Sequence, residues 1–111
     1  MKRLLISLPI ILLTACASAP TTSPKEYRAS VECTALLNLA IGLQQQDRNI
    51  PDAELAGSRN AWIRKATAYE SFSQQQFKAD VAQLGNAVVK KYNGNLQQKN
   101  LTPLVNRCLL R

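Results

Sequence analysis

Apolar side chains recur three and four residues apart over much of this chain, and that spacing most restricts the folds open to it. Phe77, Val81, Leu84, Val88 and Tyr92 follow one another at intervals of four, three, four and four. Such a stripe lies along one face of an α-helix, where it packs against a core. No stretch of the sequence shows the sustained polar–apolar alternation of a half-buried strand. The sequence therefore predicts an all-α protein.

Capping patterns mark where the first two helices begin. Residues 23–26, Ser-Pro-Lys-Glu, fit a capping box with serine at the N-cap, so a helix should start at Pro24. It should fade in the polar stretch 44–49. A second helix is expected from Pro51 or Asp52 to about Tyr69 or Ser71.

The third helix has the clearest start. Ser73 and Gln76 form a capping box, and Phe72 and Phe77 are spaced as a hydrophobic staple, which predicts a helix beginning at Gln74.

Asn93-Gly94 is expected to end that helix. Thr102-Pro103 predicts the N-cap and first residue of a last, short helix. We expect Leu96 and Leu101 to pack just ahead of it. The predicted fold is a small bundle of three long helices and one short C-terminal helix, stapled by one disulfide.

The N-terminus has the three parts of a secretory signal. Met1-Lys2-Arg3 is basic, Leu4 to Leu13 is almost wholly apolar, and small residues follow. The apolar run is about ten residues, whereas a membrane-spanning helix needs ~20. A permanent transmembrane helix is therefore disfavoured.

Leu13-Thr14-Ala15-Cys16 resembles the lipobox of bacterial lipoproteins at all four positions. The resemblance implies cleavage before Cys16 and acylation of that cysteine, so that the protein lies on a membrane, held by palmitate-type chains. In Gram-negative lipoproteins an aspartate after the cysteine favours the inner membrane. Ala17 stands there instead, which implies the periplasmic face of the outer membrane. An ordinary signal-peptidase site at Ala15-Cys16-Ala17 or Ala17-Ser18-Ala19 is the alternative.

This interpretation divides the chain into three parts. Residues 1–15 form a cleaved signal peptide, residues 16–23 a lipidated N-terminus with a flexible tether, and residues 24–111 the helical domain. Residues 17–23 have no large apolar side chain and cannot offset their own ordering entropy.

The chain has three cysteines. If Cys16 is lipidated, Cys33 and Cys108 remain as a pair in an oxidising compartment, where we expect a disulfide. The alternative is a reactive thiol, which no histidine could assist.

The charge of the chain is basic but dispersed. Removal of residues 1–15 takes away Lys2 and Arg3 and leaves 12 basic and 7 acidic side chains, a net charge of +5. We expect most of these side chains to lie on solvated helix faces, and no nucleic-acid partner.

The sequence has few of the residue patterns that catalysis requires. The absence of histidine excludes a Ser-His-Asp or Cys-His arrangement and the commonest type of zinc site. The glycines form no phosphate-binding loop. We expect neither an enzyme nor a cofactor.

One cluster could contact a partner. Arg59, Trp62, Arg64 and Lys65 combine the residue types that are enriched at interface hot spots. The stronger interpretation of Trp62 is a core residue, in register with Leu55 and Tyr69.

Two functions are favoured, and an enzyme is a third, less favoured alternative. The first is a lipid-anchored periplasmic protein that binds another envelope protein through a helical face. Its architecture resembles that of several inhibitor and toxin-immunity families. The second is a structural accessory lipoprotein of an envelope complex, or a contact with peptidoglycan or lipid headgroups.

Overall fold

The computed structural model describes residues 21–43 and 50–110, and these ranges fold as an all-α bundle. The helices of these ranges are α1 (Pro24–Leu43), α2 (Asp52–Thr67), α3 (Gln74–Lys91) and α4 (Gln98–Asn106). The predicted fold class is confirmed, including the disulfide. The predicted signal peptide, the predicted lipidation site Cys16 and the first residues of the predicted tether lie outside the described residues.

The central element is α1, because each of the other three helices packs against it. One buried cluster combines residues of α1, α2 and the C-terminal part of the chain: Cys33, Leu36, Leu37, Ala40, Leu55, Leu101, Val105 and Cys108. A smaller cluster near the start of α1 joins Val31, Ala66 and Phe77. Phe77 of α3 belongs to the smaller cluster, whereas Leu101 and Val105 of α4 belong to the larger one. No helix in the described ranges is both long and apolar enough to cross a bilayer.

The predicted start of α1 is confirmed by a reciprocal capping box. The Ser23 backbone N–H donates to Glu26 Oε1 at 3.0 Å, and the Glu26 N–H donates to Ser23 Oγ at 3.1 Å. The bond from the Ser23 amide favours the charged carboxylate and lowers the pKa of Glu26.

The predicted bounds of α3 are also confirmed. Ser73 Oγ accepts the Gln76 N–H at 3.3 Å, and the rings of Phe72 and Phe77 lie 5.8 Å apart. At the other end, Asn93 has φ 55° and Gly94 has φ 78°. These left-handed residues turn the chain out of the helix.

The predicted end of α2 is wrong by a few residues. The helix stops at Thr67, and the Ala68 carbonyl, which could have continued it, accepts the Thr22 N–H at 3.2 Å. Tyr69 leaves the helix and stacks on Tyr27, with ring centroids 4.5 Å apart.

The predicted tether is correspondingly too long. Thr22 is buried, its hydroxyl donates to the Lys65 carbonyl, and it forms an isolated parallel bridge with Tyr69. The domain therefore includes Thr22 and Ser23, which the sequence assigned to the tether.

The predicted start of α4 is wrong as well. The helix begins at Gln98 rather than Pro103, after the Gln97 N–H donates to Asn100 Oδ1 at 3.1 Å. Pro103 lies inside it and has no N–H for the Lys99 carbonyl. Leu101 and Val105, four residues apart and both almost completely buried, explain why the helix spans the proline. Their burial requires a helical turn between them.

Candidate binding surfaces

The predicted partner-contact cluster on α2 is only partly available. Arg59 Nη1 donates to Asn38 Oδ1 at 3.2 Å, which ties α2 to α1. Arg64 and Lys65 are exposed, and the Lys65 ammonium lies 5.1 Å from the centre of the Trp62 ring. The structure thus brings Trp62 and Lys65 together, while Arg59 is occupied by the neighbouring helix.

Trp62 has a structural connection that the sequence did not reveal. The indole is half-buried against the larger cluster, and its Nε1–H donates to the Cys108 carbonyl at 2.6 Å. The Leu110 N–H donates to the buried Ser58 Oγ at 2.9 Å. Two residues of α2 and the disulfide therefore hold the C-terminal segment in place, which supports the interpretation of Trp62 as a core residue.

A second candidate surface lies between α1 and α3. Tyr27 of α1 donates its hydroxyl hydrogen to Asp80 Oδ2 of α3 at 2.9 Å, and Gln76 Nε2 donates to Asp80 Oδ1 at 2.8 Å. The Tyr27 ring also meets Phe77 at 6.1 Å in an edge arrangement. This network fixes the relative position of the two helices at the end where each of them begins.

The environment of Tyr27 favours its neutral form. Burial is the largest cause and the hydrogen bond to the Asp80 carboxylate the next, and together with the nearby charge of Asp80 they raise the pKa of Tyr27 from 10.0 to about 12. A folded pKa above the unfolded value stabilises the fold below about pH 10. That contribution is lost as the pH rises through about 12.

We expect the difference between the 295-nm titrations of the wild type and Tyr27→Phe to have its midpoint near pH 12. The phenolate of Tyr27 must form against burial and beside Asp80. In urea the midpoint of the same difference should lie near pH 10, the ordinary pKa of tyrosine. A midpoint near 10 in the folded protein would contradict the Tyr27–Asp80 bond.

An open cleft of about 560 Å³ begins at this network. Its floor is apolar, with Val31, Leu84 and Ala87, and its rim is polar, with Arg28 and Gln83 among the exposed residues. The smaller cluster holds α3 against α1 and the end of α2, and the cleft is open on the side of the α1–α3 contact where Arg28, Gln83 and Ala87 are exposed.

The cleft continues towards α4. A second cavity of about 190 Å³ shares Glu32 and Leu84 with it and is closed at its far end by Leu104 and Arg107 of α4 and its C-cap. A third, of about 390 Å³, shares Lys91 and Tyr92 with the second. The three cavities adjoin one another through these shared residues, and we call the surface that they make along α1, α3 and the start of α4 the α1–α3 groove.

The two ends of the groove differ in charge. All seven acidic residues of the chain lie between Glu26 and Asp80, whereas residues 81–111 contain five lysines and arginines. Lys91, Lys99 and Arg107 line the far end. This segregation of charge is visible in the sequence and could have identified the surface. The pairing of α1 with α3, which creates the groove, is not visible in the sequence.

Tyr27 and Asp80, two of the titratable groups near the start of the groove, are hydrogen-bonded to each other. Across residues 21–43 and 50–110, no group of three or more cysteine, aspartate or glutamate side chains could hold a metal ion. What the surface offers a ligand is apolar area, a polar rim and a cationic end.

Comparisons with protein-family models, with curated proteins and with solved structures found no match to this chain.

Proposed function

We propose that this protein is a lipid-anchored binding protein of the bacterial envelope. It is attached through Cys16 to the periplasmic face of the outer membrane and contacts another envelope protein. The role that fits this class best is that of an inhibitor or immunity protein.

The observation that carries the proposal is the Cys33–Cys108 disulfide. Its two cysteines are buried, their Cα atoms lie 5.4 Å apart, and such bonds persist in oxidising compartments such as the periplasm. Since the chain has three cysteines, this pairing leaves Cys16 as the odd one, and it stands in the lipobox. The pairing and the motif thus support the same location.

The shape of the domain supports binding of a macromolecule. Its open groove has an apolar floor and a polar rim, the arrangement that protein interfaces share. A small-molecule site would bury most of its ligand in a more enclosed cavity. The disulfide and the C-terminal attachments keep the scaffold of this surface rigid, which reduces the entropy lost on association.

The anchor is tested by labelling cells with radioactive palmitate. The wild type should be labelled and sediment with outer membranes, whereas Cys16→Ser should lose both properties because it lacks the acylated sulfur. Ser18→Ala, a matched substitution in the tether, should behave as the wild type does. Labelled Cys16→Ser would refute the attachment site.

The binding role is tested in cells by photocrosslinking amino acids placed at one exposed position of each helix, Arg28, Arg64, Gln83 and Asn106. An adduct with an envelope protein at one or more positions is expected. If none forms at any position, the protein-binding role is wrong.

The structural alternative is favoured by the acid-free segment 81–111. It predicts instead that the protein sediments with purified peptidoglycan or with anionic vesicles, and that 0.5 M salt releases it because screening weakens exposed charge contacts.

A further inference from the structure

We infer that the α1–α3 groove binds an amphipathic helix of the partner protein, and that this helix has its acidic residues at the end facing α4. The inference rests on the proposed function as a binding protein and names the surface and the chemistry of the partner. Three features of the groove carry it.

The first feature is the length of the groove. The helices α1 and α3 run parallel, because Tyr27 meets Asp80 at one end while Leu36 and Val88 line the same cavity further along. From Asp80 to Tyr92 the helix rises ~18 Å at 1.5 Å per residue. A partner helix of about 12 residues, or three turns, matches that length.

The second feature is the order of polarity across the groove. Val31, Leu84 and Ala87 form the apolar floor near the start, and Leu36, Val88 and Leu104 continue it. Exposed polar side chains stand along the rim. An amphipathic helix places its apolar face in such a groove and its polar face towards solvent.

The openness of the groove favours a helix over a lipid chain. A helix satisfies its own backbone hydrogen bonds and can be half-exposed without penalty. An acyl chain in the same place would leave much of its apolar surface in water, which opposes binding.

The third feature is the charge at the far end. Lys91, Lys99 and Arg107 line it, and Glu32 is the one acidic side chain among the described residues that line the two cavities there. The Lys91 ammonium faces the Tyr92 ring at 5.9 Å. An acidic segment would complement this excess of positive charge and would fix the direction in which the helix binds.

The position of the cationic end of the groove favours contact with a soluble partner over contact with the membrane. The chain enters the domain at Thr22, beside the start of α1, and α1 is a helix of 20 residues, or ~30 Å, that runs away from that point. The cationic end of the groove therefore lies far from the site where the tether joins the domain.

The test uses full-length lipidated protein in detergent micelles and two fluorescent 14-residue model helices. Both helices have leucines at the same positions, but one has glutamates at its polar positions and the other has lysines. We expect the acidic helix to bind at least tenfold more tightly, and its affinity to fall as salt is raised.

Charge reversal locates the contact. Lys91→Glu with Arg107→Glu should weaken binding of the acidic helix about tenfold, whereas Arg64→Glu with Lys65→Glu, an equal change on α2, should leave it unaltered. Thermal unfolding of each variant checks that the fold is retained. Since Lys91 and Arg107 are exposed, we expect no loss of structure.

A floor variant gives an independent measurement. Ala87 is exposed in the cleft, so Ala87→Trp should fill the groove and reduce binding, while Ala79→Trp at another exposed position of α3 should not. Equal affinity for both helices, or equal losses with the α2 variants, would overturn the inference. Tighter binding of a fluorescent fatty acid, or a dimer that Ala87→Trp dissociates, would overturn it in favour of a lipid or a second copy.

The cellular crosslinks separate failure of this inference from failure of the proposed function. Adducts from Arg64 or Asn106 without any from Gln83 would retain the binding function and refute the groove. An absence of adducts at every position would refute the function itself.

Discussion

Replacing Cys33 and Cys108 together by alanine is expected to lower the free energy of unfolding by up to about 4 kcal/mol, because the disulfide closes a loop across a sequence separation of 75 residues. A domain of about 90 residues has a total stability of roughly 4–13 kcal/mol. A loss of this size is therefore a large share of the total, and the double variant should unfold at a clearly lower urea concentration than the parent.

The measurement is urea unfolding of residues 16–111 carrying Cys16→Ser, with and without the two alanines. Dithiothreitol is the control: it should destabilise the parent protein to the level of the double variant and leave the variant itself unchanged. Coincident unfolding curves for parent and variant in oxidising buffer would show that the disulfide contributes nothing to stability.

The structure adds a second consequence of losing the disulfide. Cys108 is also the residue whose carbonyl accepts the Trp62 indole hydrogen, and Leu110 beyond it is bound to Ser58. Without the covalent link, the C-terminal segment keeps only its non-covalent contacts, which include these two hydrogen bonds and the apolar packing of the larger cluster. Trp62 fluorescence should therefore shift to longer wavelength in the double variant as water reaches the indole.

Leu37→Ala is expected to have the next largest effect, a loss of about 3 kcal/mol. Leu37 lies on the central helix, is completely buried, and belongs to the larger cluster. Truncation removes apolar contact and leaves a cavity, and such substitutions cost ~2.7–5 kcal/mol in well-packed cores.

The matched control is the same substitution at Leu110, which is 44% exposed. It should change the free energy of unfolding by less than about 0.5 kcal/mol, since surface side chains away from specific contacts have small effects. Urea unfolding of both variants measures the difference. Equal losses at the two positions would mean that Leu37 does not lie in the core.

The local patterns predicted the helix starts best, because a cap is made by residues three or four apart. Ser23 with Glu26 and Ser73 with Gln76 each bond within a single turn, so their chemistry is complete in the sequence. The same holds for Asn93-Gly94, whose left-handed backbone needs no distant partner.

The errors occurred where a distant residue competes with the local signal. Thr22 takes the carbonyl that would have extended α2, 46 residues away in sequence. Thr102-Pro103 looks like a helix start, but burial of Leu101 and Val105 together holds the proline inside α4. In both places tertiary contacts outweigh a local preference that amounts to a few kcal/mol at most.

The sequence by itself determined the helical class, the starts of α1 and α3, and the cysteine pair that joins the first helix to the last residues. These depend on periodicity, short-range hydrogen bonds and the count of cysteines. Only the tertiary structure decided that α3 packs beside α1 in parallel and that Lys91 and Arg107 line one end of the groove between them. That arrangement depends on which apolar faces pack together. Residues 50 or more positions apart come into contact because their shapes fit and their burial is favourable, and no local pattern specifies such contacts.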